Sequence, residues 1–153
     1  MAGHQRLDVH HVDPHAHQAV FVMESYVRNS GLDPRLYELV KIRASQLNGC
    51  AFCLDMHNRD ARKGGEDQRR LDVLSAWREA PDLFTDAERA ALAFTEAVTR
   101  IGEAGVPDSV WNDVAANFDE PGIVHLLMAV AVINVWNRLA VSTHQQLPDA
   151  TDG

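Results

Sequence analysis

Along this chain apolar residues return every three or four positions, and the strict apolar/polar alternation of a half-buried strand hardly occurs. Pro14 opens the first such segment, "HAHQAVFVMESYVRN", which Ser30 and Gly31 end. Asp33 is placed to cap a second helix, with Pro34 at its first position and a run through "RLYELVKIRASQLN" to a stop at Gly49. A third begins around Cys50 and ends at Gly64 and Gly65, read as supplying the left-handed backbone that helix ends favour. "EDQRRLDVLSAWREA" makes a fourth helix before Pro81, and Thr85 with Glu88 forms a capping box that opens a fifth through "DAERAALAFTEAVTRI". Pro107 to Phe118 is a shorter sixth and Gly122 to about His144 a long seventh. The pattern therefore predicts an all-α fold, a compact bundle of six to seven helices in one domain over residues 1–153. Residues 1–13 are expected to be a flexible leader and residues 147–153 a frayed tail.

The last helix changes the picture most. "IVHLLMAVAVINVWNRLAV" has the length of a membrane span, but His125, Asn134, Asn137 and Arg138 lie within it, so a buried core or subunit-interface helix is expected rather than a membrane segment. A helix that is apolar around most of its circumference needs partners on several sides, which points to a homo-oligomer. Composition is that of a folded domain, with 46% hydrophobic and 24% charged residues. A net charge of −8, from 14 basic against 22 acidic residues, argues against nucleic acid as a partner, because phosphate binding needs a basic face. The cluster Arg59, Arg62, Lys63, Arg69 and Arg70 reads as the solvated face of adjoining helices. The start, "MAGHQRLDVHHVDPHAH", has no apolar secretory core, so the chain reads as cytoplasmic, where a reducing environment keeps thiols reduced at rest.

Candidate chemistry concentrates in "GCAFCLDMH", residues 49–57, which holds the chain's two cysteines. At a helix start Cys50 meets unpaired backbone N–H groups and the helix dipole, which favour a thiolate. Cys53 faces the same side at a spacing compatible with a disulfide, and His57 lies one turn further along that face, positioned to exchange a proton with the Cys53 sulfur. Local geometry makes Cys50 the more acidic thiol and Cys53 the one with a nearby base, and leaves open which of them attacks. A redox dithiol, a zinc site on Cys50, Cys53 and His57 with a carboxylate, and two buried cysteines beside a satisfied histidine are the three readings. Zinc sites usually carry a second C-x-x-C or H-x-x-x-H pair, which the chain lacks.

The stretch "ELVKIRASQLNGCAFCLDMHNRDARKGG" resembles the core motif of the AhpD-like alkylhydroperoxidase and carboxymuconolactone decarboxylase family, a glutamate followed by G-C-x-x-C-x-x-x-H, here Glu38, Cys50, Cys53 and His57. "INVWNRLAV", Ile133 to Val141, resembles the final-helix signature of one subset of that family. The resemblance implies an all-helical subunit assembling into trimers or hexamers, and a peroxidase that needs no metal, haem or other cofactor. It implies that Cys53 attacks a peroxide, that Cys50 resolves the resulting sulfenic acid as a disulfide, and that Glu38 and His57 relay protons. A lipoyl or thioredoxin-like dithiol protein would then reduce the disulfide. Peroxidase members can carry a histidine directly before the second cysteine, where this chain has Phe52. The alternatives are a decarboxylase acting on a lactone acid without a dithiol, and a redox-sensing interaction module.

Read from its own residues, Glu38 falls opposite the apolar stripe of Leu36, Leu39, Val40, Arg43 and Leu47, together with Ile42 and Ser45, where it is equally an exposed partner of Lys41. His4, His10, His11, His15 and His17 are expected in a solvated segment. Asn134, Asn137 and Arg138 fall on one face of the last helix and read as a buried polar network fixing helix register or a subunit contact, with lining the approach to the thiols as the alternative. His125 reads as a hydrogen-bonded core histidine, and Trp77, Trp111 and Trp136 as core or interface anchors.

Overall fold

The computed structural model describes residues 4–150, which form eight α-helices and, among the described residues, no strand. They are α1 (Val9–Val12), α2 (Pro14–Arg28), α3 (Pro34–Asn48), α4 (Ala51–Lys63), α5 (Gln68–Val73), α6 (Asp86–Thr99), α7 (Asp108–Asn117) and α8 (Glu120–Thr143). The expected starts are where local chemistry placed them. The Asp33 carboxylate accepts from the Arg35 N–H ahead of α3, and Thr85 and Glu88 bond each other's backbone at the start of α6. α8 begins two residues earlier than expected, because Asp119 caps it by accepting from the Gly122 N–H.

Two helix ends differ from expectation. Only Gly65 takes the left-handed backbone after α4, at φ 88°, while Gly64 stays at φ −76°. The fourth helix breaks after Val73 into a tighter 3₁₀ segment, Leu74–Glu79, with Ala76 out of helical geometry at φ −122°. The break seats both Leu74 and Trp77 in the core, and the Trp77 indole N–H donates to Glu96 at 2.9 Å.

α3 lies between two apolar cores and packs against α4, α6 and α8. Leu36, Tyr37 and Val40 face one core with Val27, Phe94, Leu126 and Val130, while Leu39 and Ile42 face the other with Leu71, Leu74, Trp77, Phe84 and Leu92. The side of α3 opposite its expected stripe is therefore also buried, with Ile42 and Ser45 fully enclosed. α8 is long and apolar enough to cross a membrane by length and composition, and its inner face packs against α2, α3 and α6. Phe21, Val22 and Tyr26 on α2, and Val124 and Leu127 on α8, remain exposed, with Tyr26 meeting half-buried His125 edge-on at 6.2 Å. No hydrogen bond made by the His125 side chain occurs among the described residues, contrary to the expected role. Trp111 is also nearly half exposed, against the edge of Phe94.

The expected flexible leader takes a defined course from residue 4 onward; residues 1–3 lie outside the described part of the chain. The Arg6 N–H donates to the Thr143 carbonyl at 2.8 Å and its guanidinium to the Ser142 carbonyl at 3.3 Å. These are carbonyls of the last turn of α8, which have no partner inside their own helix. Asp8 then caps α1 through the His11 N–H, and the chain turns into α2. Of the expected frayed tail, residues 147–150 are irregular and residues 151–153 lie outside the described chain.

Candidate active site

Gly49 ends α3 at φ 64°, a conformation that any side chain would strain, and so brings Cys50 directly onto the start of α4. Cys50 is the N-cap, and its sulfur accepts from the Cys53 N–H at 3.3 Å. Both thiols are free and buried, packed with Ala140 of α8 and with Phe52. The Cys53 thiol donating to Cys50, helped by the cap N–H and by Asn137, brings the Cys50 pKa down to about 7 against the effect of burial. The same bond to Cys50, together with burial and the charge on Cys50, pushes Cys53 up. The pair thus loses its first proton at Cys50, as the helix-start argument expects. Ultraviolet thiolate absorbance of the reduced protein should therefore rise with a midpoint near pH 7 and lose that step in Cys50→Ser; a first midpoint near that of free cysteine would refute the assignment.

Cys53 and His57 line one cavity of about 390 Å³ whose other walls include Phe21, Phe52, Met56 and Trp136, and which residues 5–10 help to enclose. Cys50 lines a smaller cavity of about 270 Å³ between Gly49, Ala51, Val141 and His144. Phe52 borders both. Phe52, at the position where peroxidase members of the resembled family can carry a histidine, is thus an apolar wall of both cavities and not a proton carrier. His10 and His17, placed by the sequence in a solvated segment, also border the larger cavity, with His17 tilted on Trp136 at 5.1 Å.

The structure brings Glu38 to His57. His57 Nδ1 lies 3.5 Å from Glu38 Oε2, long for a hydrogen bond, and neither atom has a hydrogen-bond partner among the described residues. Glu38 Oε1 pairs with the Lys41 ammonium at 2.9 Å, so the alternative Lys41 partnership is present as well. Both residues are far from exposed, however, and Lys41 is only 1% accessible. Behind them, Glu24 of α2 accepts from the Tyr37 hydroxyl at 2.6 Å and from Arg28 at 3.1 Å, and stands 3.8 Å from the Lys41 ammonium. The ammonium also sits over the Tyr37 ring at 4.0 Å. Burial raises the Glu38 pKa, but His57 and Lys41 outweigh it and hold it below the ordinary value of 4.5. Glu24 is likewise lowered, with Tyr37 and Lys41 overcoming burial. Both carboxylates are ionised at neutral pH.

A second polar network runs from α3 to α8. Asn48 donates to the side-chain carbonyls of Asn134 and Asn137, each at 2.9 Å, and Asn137 donates to Ser45 at 3.0 Å. Asn134 also donates to Thr99. Of the buried network expected from Asn134, Asn137 and Arg138, only Asn137 is buried; Asn134 is half-buried, and Arg138, exposed, donates to it at 2.7 Å. Asn137 does more than fix register, because its amide interacts with both thiols and Ser45 with Cys53. Glu24, Tyr37, Ser45 and the burial of Lys41 were not found in the sequence. The only local signal was the i, i+3 spacing of Glu38 and Lys41.

Comparisons with known proteins converge on this region. The model of the carboxymuconolactone decarboxylase family matches residues 14–97. YdfG, an uncharacterized protein of Bacillus subtilis, is 40% identical over 138 residues, 90% of this chain and 93% of its own. The alkyl hydroperoxide reductase AhpD of Streptomyces coelicolor is 35% identical over 65 residues, 40% of this chain and 36% of its own. Among solved structures, a protein of unknown function from Agrobacterium tumefaciens that carries the name of the antioxidant defence protein AhpD is 41% identical. It superposes with a TM-score of 0.92 over 95% of this chain and 99% of that one.

Proposed function

Since this chain belongs to the carboxymuconolactone decarboxylase family and has the AhpD-like fold, we propose that it is a thiol-dependent peroxidase, reducing hydrogen peroxide or organic hydroperoxides through a Cys50/Cys53 dithiol–disulfide cycle. The observation that carries this reading is the placement of Cys53 and His57 on one cavity, with Glu38 behind the imidazole and Cys50, the more acidic thiol, three residues away. With Nδ1 turned to Glu38, His57 has Nε2 to accept the Cys53 proton. The Cys53 thiolate attacks the terminal peroxide oxygen, the O–O bond breaks, and the two electrons of the S–O bond come from sulfur. The imidazolium returns its proton to the departing alkoxide, giving the alcohol. Cys50, as its thiolate, attacks the Cys53 sulfenic sulfur, hydroxide leaves and takes a proton from solvent, and the disulfide is formed.

The walls Phe21, Phe52, Met56 and Trp136 fit the carbon skeleton of an organic hydroperoxide better than they solvate a small polar one. A lipoyl or thioredoxin-like dithiol protein restores the pair by exchange, supplying two electrons and two protons. The separate cavity at Cys50 supports an approach for this donor that does not cross the peroxide cavity. The exposed apolar residues of α2 and α8 support self-association. The test is peroxide consumption by the reduced protein with several dithiol donors, for wild type and Glu38→Gln. The variant should turn over roughly 10²-fold more slowly, because the imidazole loses its orienting charge. Equal rates for both proteins would refute the relay, and oxidation to a disulfide that no donor turns over would make the protein a sensor instead.

A further inference from the structure

The Glu38–His57 contact leaves two buried polar atoms without partners, and a third donor stands beside them. His57 and Asp60 are one turn apart on α4, and Asp60 Oδ2 lies 4.0 Å from His57 Nδ1. Donor atoms of Glu38, His57 and Asp60 all lie within 4.8 Å of one another. The His57 side chain is 6% accessible, and its unpartnered Nδ1 points into this space. Lys41 occupies only Oε1 of Glu38, so Oε2 is the oxygen left facing the imidazole.

We propose that Glu38 Oε2, His57 Nδ1 and Asp60 Oδ2 form a binding site for a zinc-class divalent cation that takes no ligand from the cysteines. Bonds of about 2.0–2.1 Å in a tetrahedral shell put neighbouring ligand atoms roughly 3.4 Å apart. The 3.5 Å and 4.0 Å separations from His57, within a group whose atoms all lie within 4.8 Å of one another, close to this distance by an inward turn of Asp60, whose side chain is 43% accessible and free to make it. One imidazole nitrogen and two carboxylate oxygens suit zinc, cobalt or nickel better than magnesium or calcium, which prefer oxygen alone. Water completes the shell from the exposed Asp60 side. The fixed charges near the site are Glu24, Glu38 and Asp60 against Lys41 and Arg28, a surplus of one negative charge before the cation enters.

Occupancy has a chemical consequence for the relay, and this part rests on the peroxidase reading above. A cation on Nδ1 displaces the proton from that nitrogen, so the neutral imidazole carries its hydrogen on Nε2 and has no lone pair with which to accept the Cys53 proton. Zinc would then inhibit without touching either thiol.

The test is calorimetric titration of the reduced full-length protein with zinc, repeated on Cys50→Ser/Cys53→Ser and on Asp60→Asn, with a cobalt-loaded wild-type spectrum. One zinc per chain is expected in wild type and with comparable affinity in the double cysteine variant, with at least about 10-fold weakening in Asp60→Asn. Cobalt should give ligand-field bands without a thiolate-to-cobalt charge-transfer band. Loss of zinc in the cysteine variant, such a charge-transfer band, or unchanged affinity in Asp60→Asn would overturn the site. Because binding is read without turnover, a protein inactive toward peroxide still decides this inference. Undiminished peroxide consumption by a zinc-loaded active protein would overturn the inhibitory role.

Discussion

Cys53→Ser should abolish dithiol-dependent peroxide consumption, a loss on the order of 10³-fold or more, because removing a nucleophile removes the step that every later one depends on. The expectation is specific to this cysteine even though Cys50 is the more acidic of the two. Acidity decides where the resting charge sits; access decides which sulfur meets the peroxide, and Cys53 is the thiol that shares the larger cavity with His57. Cys50→Ser should therefore behave differently. It should reduce about one equivalent of peroxide per chain and stop with a sulfenic acid at Cys53, which a dimedone-type trap detects by mass. If Cys50→Ser loses the first turnover and Cys53→Ser keeps it, the division of labour is reversed.

Lys41→Met should be the most damaging single change to stability, by about 3–5 kcal/mol at neutral pH. The side chain is buried with its ammonium between Glu38 and Glu24, and methionine keeps its length while removing the charge. Buried Glu24 and half-buried Glu38 are then left with Arg28, whose side chain is 57% accessible, as the nearby cation. The pH dependence follows from the sign of the shifts. In wild type the folded-state pKa values of Glu24 and Glu38 lie below 4.5, so their contribution is complete above that pH and is lost as pH falls through the folded values. In Lys41→Met burial, which raises both, is opposed only by Tyr37 and Arg28 at Glu24 and by His57 at Glu38, so the folded state binds protons more readily and the deficit shrinks on acidification. Urea midpoints at neutral pH and at about pH 4 measure both effects; a midpoint unchanged at neutral pH would show that the ammonium is not holding the network.

The parts of the fold legible in the sequence are those set by contacts within a few residues. Asp33 and Pro34 before α3, Gly49 after it, and the Thr85–Glu88 pair all act through neighbouring backbone groups, so their residue types announce them. The C-x-x-C-x-x-x-H spacing is legible for the same reason, since a helix start and one turn beyond it fix where those side chains project. The fourth helix was misread because its break answers to Leu74 and Trp77 reaching a core built by α3 and α6, which no local pattern records. The course of the N-terminal stretch has no local signal either. Its polar, histidine-rich composition matches a solvated leader, while its course is set by unpaired carbonyls at the end of α8, more than a hundred residues away.

The sequence by itself determined an all-helical chain and one helix start bearing two cysteines and a histidine, because propensity, caps and turn residues act locally. Only the tertiary structure decided that the middle of α3 is enclosed on most sides, so that buried Lys41 and half-buried Glu38 form one charge cluster with Glu24 rather than a surface pair. It also decided that the two cysteines border different cavities, both lined by Phe52, because that depends on how α8 and the N-terminal stretch close over α4, and packing across the fold leaves no periodic trace in the chain.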